Sequence, residues 1–121
     1  QMTRAEILDA AKQIVTRDRN SHYGEPEDNF DVIAKFWNNY LITTQGVCLY
    51  LSAPDVAIMM ALFKIGRIAT ARDMYEDSYI DAAGYIACAV ECAAREEERI
   101  AKGEKWVETI RAKYGIDNGT L

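Results

Sequence analysis

Apolar residues recur at helical spacing from the start of the chain: Ile7, Leu8, Ala11, Ile14 and Val15 share one side of a 3.6-residue period. Thr3 and Glu6 form a capping box ahead of that run, which predicts a first helix reaching residues 17–19. Residues 20–24 interrupt it. Pro26, flanked by acids that suit a helix N-terminus, predicts the first turn of a second helix. Phe30, Ile33, Ala34, Trp37 and Leu41 form its apolar stripe, and the polar stretch 43–46 ends it. Ser52, Pro54 and Asp55 open a third helix with a second capping box. Its run VAIMMALFKIG is apolar nearly all round, the pattern of a helix at the centre of a domain. After a polar break at 72–76, Asp77 is expected to start a fourth helix, DSYIDAAGYIACAVECAAREEERIAKG. Its first half is rich in small residues that permit close helix approach, and its REEER stretch reads as a solvated face. Gly103 either stops that helix or interrupts it before EKWVETIRAKYG, a last short helix ending at Gly115. No stretch alternates with a strand period and no internal repeat is evident. The expectation is an all-α fold, a bundle of four to five helices in a single domain over residues 2–121.

Composition narrows the function more than the fold. A chain of 121 residues is one domain, long enough to bury roughly two-thirds of its unfolded surface without staples. The net charge of −5 argues against general nucleic-acid binding, which needs a basic stripe. It leaves room for a small anionic ligand held by a few local cations. Cys48, Cys88 and Cys92 are odd in number and sit in apolar runs, so no disulfide framework is expected and a reducing cytosol fits. Cys88 and Cys92 lie one helical turn apart without further zinc ligands, and read as buried small hydrophobes. Arg4, Glu6 and Asp9 break up any apolar N-terminal run, and the near-apolar stretch 56–63 is too short to span a bilayer, so no signal peptide and no membrane contact are expected. Gln1 ahead of Met2 is read as a tag remnant.

Three places carry residues beyond what helices need. The connector RDRNSHYGEPEDNF (residues 17–30) is one. Gly24, Glu25, Pro26, Glu27 and Asp28 are accounted for by turn and helix-start chemistry. Arg17, Arg19, His22 and Tyr23 are surplus to a turn, although arginines near a helix C-terminus also suit its dipole. As ligand residues, Tyr23 would stack on a base, His22 or Arg19 would contact phosphate or ribose, and Asn29 would read a base edge. The fourth helix is the second place. Asp77 and Asp81, at i, i+4, share a face, with Gly84 and Tyr85, a further candidate ligand residue, a turn further on. Two such carboxylates call for a cation between them, unless they serve only as cap and dipole partner. The third is Lys64 and Arg67, at i, i+3 on the most hydrophobic helix. Left without a partner there, either would cost several kcal/mol, so they snorkel, pair with acids such as Asp77 and Asp81, or face a ligand phosphate.

These stretches carry a resemblance. DRNSHYGEPEDNFDVIAKFWNNYL, DVAIMMALFKIGRIA and DSYIDAAGYIACAV resemble a family of small phage and prophage proteins without an assigned activity. That family is similar in turn to the MazG-like all-α nucleoside triphosphate pyrophosphohydrolases and dimeric dUTPases. The likeness covers about residues 3–95 and is strongest in Y-G-x-P-E-x-N-F, Tyr23 to Phe30. It implies a MazG-like bundle, a nucleotide or nucleotide-derived ligand, Mg²⁺ as cofactor and the cytoplasm of a bacterial host. In the enzymes, E-x-x-E on one helix and E-x-x-D on the next hold Mg²⁺ against phosphates, a donor set that suits this ion. Asp81 matches the final Asp, but Ser78 stands three residues before it and Asp77 one residue further off. The helix that should carry E-x-x-E has Lys64 and Arg67 instead, with Glu25, Glu27, Asp28 and Asp31 as the acids left to substitute. The resemblance thus makes Asp77, Asp81 and Glu27 the metal candidates.

Two functions fit. One is a Mg²⁺-dependent nucleotide pyrophosphohydrolase, in which metal-activated water attacks a phosphoanhydride and Lys64 or Arg67 stabilises the developing charge. The other binds a nucleotide without cutting it, sequestering a host nucleotide signal or serving as a regulatory module. A structural helical module without a small ligand is the third reading. The apolar circumference of residues 56–63 and the Ala/Gly surface of 77–88 exceed what five short helices cover in one subunit, so a homodimer or homotetramer through the third and fourth helices is expected.

Overall fold

Helix covers nearly all of the chain in the computed structural model, which describes residues 1–47 and 50–115, except for the side chains of 18–20, 105, 108 and 109. Thr3 caps α1 (Arg4–Gln13). Its hydroxyl accepts the Glu6 N–H at 3.2 Å, and the Glu6 carboxylate accepts the Thr3 N–H at 3.1 Å. The helical path does not end at 17–19 as expected. It widens into a π-helical turn (Ile14–Asp18) and resumes as α2 (Arg19–Tyr23). The Thr16 hydroxyl donates back to the Lys12 carbonyl at 2.6 Å, a bond that competes with the regular ladder. Asn20 and Ser21 are weak helix formers rather than breakers. The break falls at Gly24, whose φ of 78° lies in the left-handed region that glycine adopts without strain.

The second and third predicted helices are α3 (Pro26–Gln45) and α4 (Ala53–Thr70), with Pro26 in the first turn of α3 and the Ser52–Asp55 capping box in place on α4. Asn38 fastens the loop between them, donating to the Leu51 carbonyl at 2.9 Å and accepting the Leu51 N–H at 2.8 Å. The last element, α5 (Glu76–Tyr114), is a single helix of 39 residues. It starts just after Tyr75, one residue before the expected Asp77. Gly103 neither stops nor interrupts it: one glycine costs about 1 kcal/mol of helix propensity, which the strong formers around it outweigh. The class is all-α, as expected, and no strand occurs among the described residues.

Packing centres on the α4–α5 hairpin, with α3 against α4 and α1 against α5. Phe30, Val56 and Cys92 are the largest fully buried side chains, surrounded by Ala34, Ala53, Ala57, Ala61, Tyr85, Cys88 and Ala89. Alanines line α4 and α5 where the two helices meet, which lets their backbones come close. The small-residue surface of α5 also receives the π-helical turn: a Cβ on Gly84 would sit 3.1 Å from Val15 Cγ1. Cys88 and Cys92 are buried, as read from sequence, and burial pushes the Cys92 thiol up to about 11. Cys48 lies outside the described residues.

The third predicted helix is central, packing on both α3 and α5, with Ile58, Met59, Leu62, Phe63 and Ile65 exposed on its far side. One expectation needs correction. REEER is not a purely solvated face: Arg95 pairs with Asp28, and Arg99 with Asp31 at 3.2 Å, tying α5 to the first turns of α3. No described helix is long and apolar enough to cross a membrane.

Candidate functional site

The turn between α4 and α5 gathers four of the residues singled out in the sequence. Lys64 reaches across the hairpin and places Nζ 2.9 Å from Asp81 Oδ2, with both side chains mostly withdrawn from solvent. Arg67 follows one turn later. Its guanidinium lies over the Phe63 ring at 4.8 Å and makes no ion pair among the described residues. Asp77 accepts a hydrogen bond from the Tyr75 hydroxyl. That bond, then the charge of Asp77, hold the phenol above its ordinary value against the opposing pull of nearby Arg67. Arg67, Asp73, Tyr75, Ser78 and Tyr79, with Ile68, Ala71 and Met74, line a cleft of about 450 Å³. The lining combines an arginine, an aspartate, hydroxyls and aromatic faces, and among the described residues Ser78 is buried. Such a surface can take an anion attached to a flat or apolar group.

The metal set expected from Asp77, Asp81 and Glu27 is not brought together. Glu27 stands on the first turn of α3 against Glu91, while Asp81 is held by Lys64. Among the described residues, no group of three or more His, Cys, Asp or Glu side chains is placed to hold an ion. The reason lies in the residue types: where two facing helices would need four acids, α4 supplies Lys64 and Arg67. The donor set does not fit Mg²⁺.

The connector residues lie elsewhere. Arg17, His22 and Tyr23 are exposed, with the His22 and Tyr23 rings tilted at a centroid distance of 6.2 Å. The side chain of Arg19 lies outside the described residues. Asn29 is half-buried on α3. Val15, Thr16, Glu25 and Pro26 border a second hollow against Ala87, Cys88 and Glu91. Measured along α5, that is six to ten residues from Asp81, about 9–15 Å at 1.5 Å per residue. The connector and the α4–α5 cleft therefore form two separate places. Tyr85 belongs to neither. It is buried in the core against Phe30, with ring centroids 5.9 Å apart.

One feature escaped the sequence reading. Glu27 Oε1 is withdrawn from solvent beside a second acid, Glu91. The hydrogen bond that protonated Glu91 makes with Glu27, then partial burial and the charges of Glu27 and Glu25, push the Glu91 carboxyl above its ordinary value. The available signal was an acid in the apolar run CAVEC, between two core cysteines on the same helix.

The fold and this turn define a small all-α protein with a polar, aromatic cleft and no carboxylate metal centre among its described residues. Residues 6–93 match the family described as Domain of unknown function (DUF6378), and the chain belongs to that family. It is 34% identical over 113 residues to the Gene 55 protein of Mycobacterium phage D29, covering 88% of this chain and 70% of that protein. It is 33% identical over 104 residues to the Gene 55 protein of Mycobacterium phage L5, covering 86% of this chain and 63% of that protein. The chain thus spans about two-thirds of the length of these relatives. No solved structure matches it significantly.

Proposed function

We propose that this chain is a phage nucleotide-binding protein that holds its ligand at the α4–α5 cleft without cutting it. The observation that carries the reading is the Lys64–Asp81 pair. In the MazG-like arrangement that the sequence resembles, facing carboxylates grip a divalent ion. Here an internal ammonium neutralises the one matching acid. With Asp81 held by Lys64, that acid has no free charge to offer a divalent ion, and the nearby Arg67 guanidinium repels one. A phosphate is favoured by Arg67, whose guanidinium makes no ion pair among the described residues. Arg67 offers a forked donor, Ser78 a hydroxyl, and Tyr75 and Tyr79 aromatic surface for a base. The phage relatives support a setting in which such a protein sequesters a nucleotide signal of the host.

The test is a thermal-shift screen of nucleotides and cyclic dinucleotides with and without Mg²⁺, followed by calorimetric titration of Arg67→Ala and Tyr23→Ala. The reading requires a shift that does not depend on Mg²⁺, with the ligand recovered intact. It also requires Arg67→Ala to lose affinity while Tyr23→Ala keeps it. The reverse pattern moves the site to the connector. Product release with Mg²⁺ restores the pyrophosphohydrolase. No shift with any nucleotide leaves the structural module.

A further inference from the structure

The outward side of α4 is apolar from Ile58 to Ala69. Ile58, Leu62, Ile65 and Ala69 follow one another at steps of four, three and four residues, with Met59 and Gly66 beside them. Ile58, Met59, Leu62 and Ile65 are between 41% and 60% exposed. The charged residues of that span stand off the stripe: Lys64 is bound to Asp81 on α5 and Arg67 lines the cleft. On α3, packed beside α4, a second outward stripe of Val32, Phe36 and Tyr40 is exposed. An apolar stripe of this length, left uncovered by its own chain, marks an interaction surface in a folded protein.

We infer that α4 is the seam of a homodimer in which a second copy of this chain packs antiparallel across it. The spacing of four and three residues is that of a two-helix seam. Its two halves are complementary in size: the N-terminal half holds Ile58, Met59 and Leu62, the C-terminal half Gly66 and Ala69. Antiparallel pairing about the middle of the stripe sets Ile58 against Ala69 of the partner subunit and Leu62 against Ile65 of the partner subunit. It also sets Met59 over Gly66 of the partner subunit. Large meets small in every outer layer. Parallel pairing would instead set Ala69 on Ala69 and Gly66 on Gly66, leaving voids where close packing is required. Gly66 is the diagnostic residue. A Cβ there meets nothing within 4 Å inside the subunit, and glycine in a helix interior lowers helix propensity. Folding of the single chain therefore gains nothing from it, whereas a partner helix needs the space.

Light scattering of the wild type at micromolar concentration should give twice the chain mass of 13.6 kDa. Gly66→Leu should keep its helical circular dichroism and cooperative melt while its dissociation constant rises at least about tenfold, the effect of overpacking one contact. Register is read by oxidation in a Cys48→Ser background. Mixed Ile58→Cys and Ala69→Cys chains should form a disulfide dimer faster than either variant alone. A monomeric wild type, a Gly66→Leu variant that dimerises as tightly as wild type, or faster coupling of Ile58→Cys to itself would each overturn the inference.

Discussion

Removing the Lys64 ammonium gives the most direct test of how the α4–α5 turn is built. Lys64→Met keeps the length and apolar stem of the side chain and deletes its charge, leaving Asp81 unpaired. The lysine side chain is 16% exposed, the aspartate 31%, and the contact is 2.9 Å. Exposed pairs are worth up to about 1 kcal/mol, whereas breaking a fully buried pair costs about 3–5 kcal/mol. This geometry lies between those limits, so a loss of about 2 kcal/mol is expected. In a domain of this size that lowers Tm by roughly 6–10 °C. Asp81→Asn alone should also destabilise. The double variant should recover part of the loss, because neither charge is then left without its partner, giving a coupling energy of about 1 kcal/mol. Thermal or urea unfolding of all four proteins, at one fixed protein concentration so that association does not enter, measures the cycle. Additivity within about 0.3 kcal/mol, or a Lys64→Met protein that melts within a degree of wild type, would refute the ion pair as the organiser of this turn.

Two further outcomes follow from the core and from the acid pair. Phe30, 1% exposed and set against Tyr85, anchors α3 to the hairpin; Phe30→Ala should cost about 3–5 kcal/mol in urea unfolding, and a loss below about 2 kcal/mol would mean the ring is not packed as described. Glu91 has a carboxyl raised in the folded state by Glu27, so its stabilising contribution is present below the ordinary glutamate value and is lost as pH rises through the folded one. Glu91→Gln should therefore melt higher than wild type at pH 7 and lose the wild-type fall in Tm just above the carboxylate range; parallel Tm–pH curves for the two proteins would exclude the pair.

Helix starts were legible because their chemistry is local. Thr3 with Glu6, Pro26, and Ser52 with Asp55 each act within four residues of the element they open. The continuation of the first helix through residues 14–23 was not, since a π turn arises from competition between side-chain and ladder hydrogen bonds that has no residue signature. The apolar circumference of α4 was visible, but burial by the same chain and burial by another leave one pattern in the sequence. For the site, Lys64, Arg67, Asp77 and Asp81 could be named from spacing, and their meeting follows from the hairpin. The connector residues could be named as well, yet spacing says nothing of where a loop stands relative to a turn some fifty residues on. Hence two groups expected to share a ligand stand apart along α5.

The length of α5 leads to a last expectation. Counting outward from the turn at 71–75, Ala53 at the start of α4 lies level with the low nineties of α5, and the family match ends at residue 93. Past that point the helix is tied to α3 by Arg95 and Arg99, and among the described residues Lys102 adds a local contact to Glu98. The D29 relative matches 88% of the chain, more than residues 1–93 contain, so this arm continues in at least one phage protein. With no described partner helix to bury against, the arm relies on propensity and i, i+4 pairs, which make an isolated helix of this length marginal in water. Native-state hydrogen exchange should then show a step along one continuous helix. Amides up to about residue 93 should be protected at the level of global unfolding, and those after residue 99 should exchange through local opening, orders of magnitude faster. Uniform protection from residue 80 to residue 112 would mean that the arm is buried against something, and that the packed unit is larger than one chain.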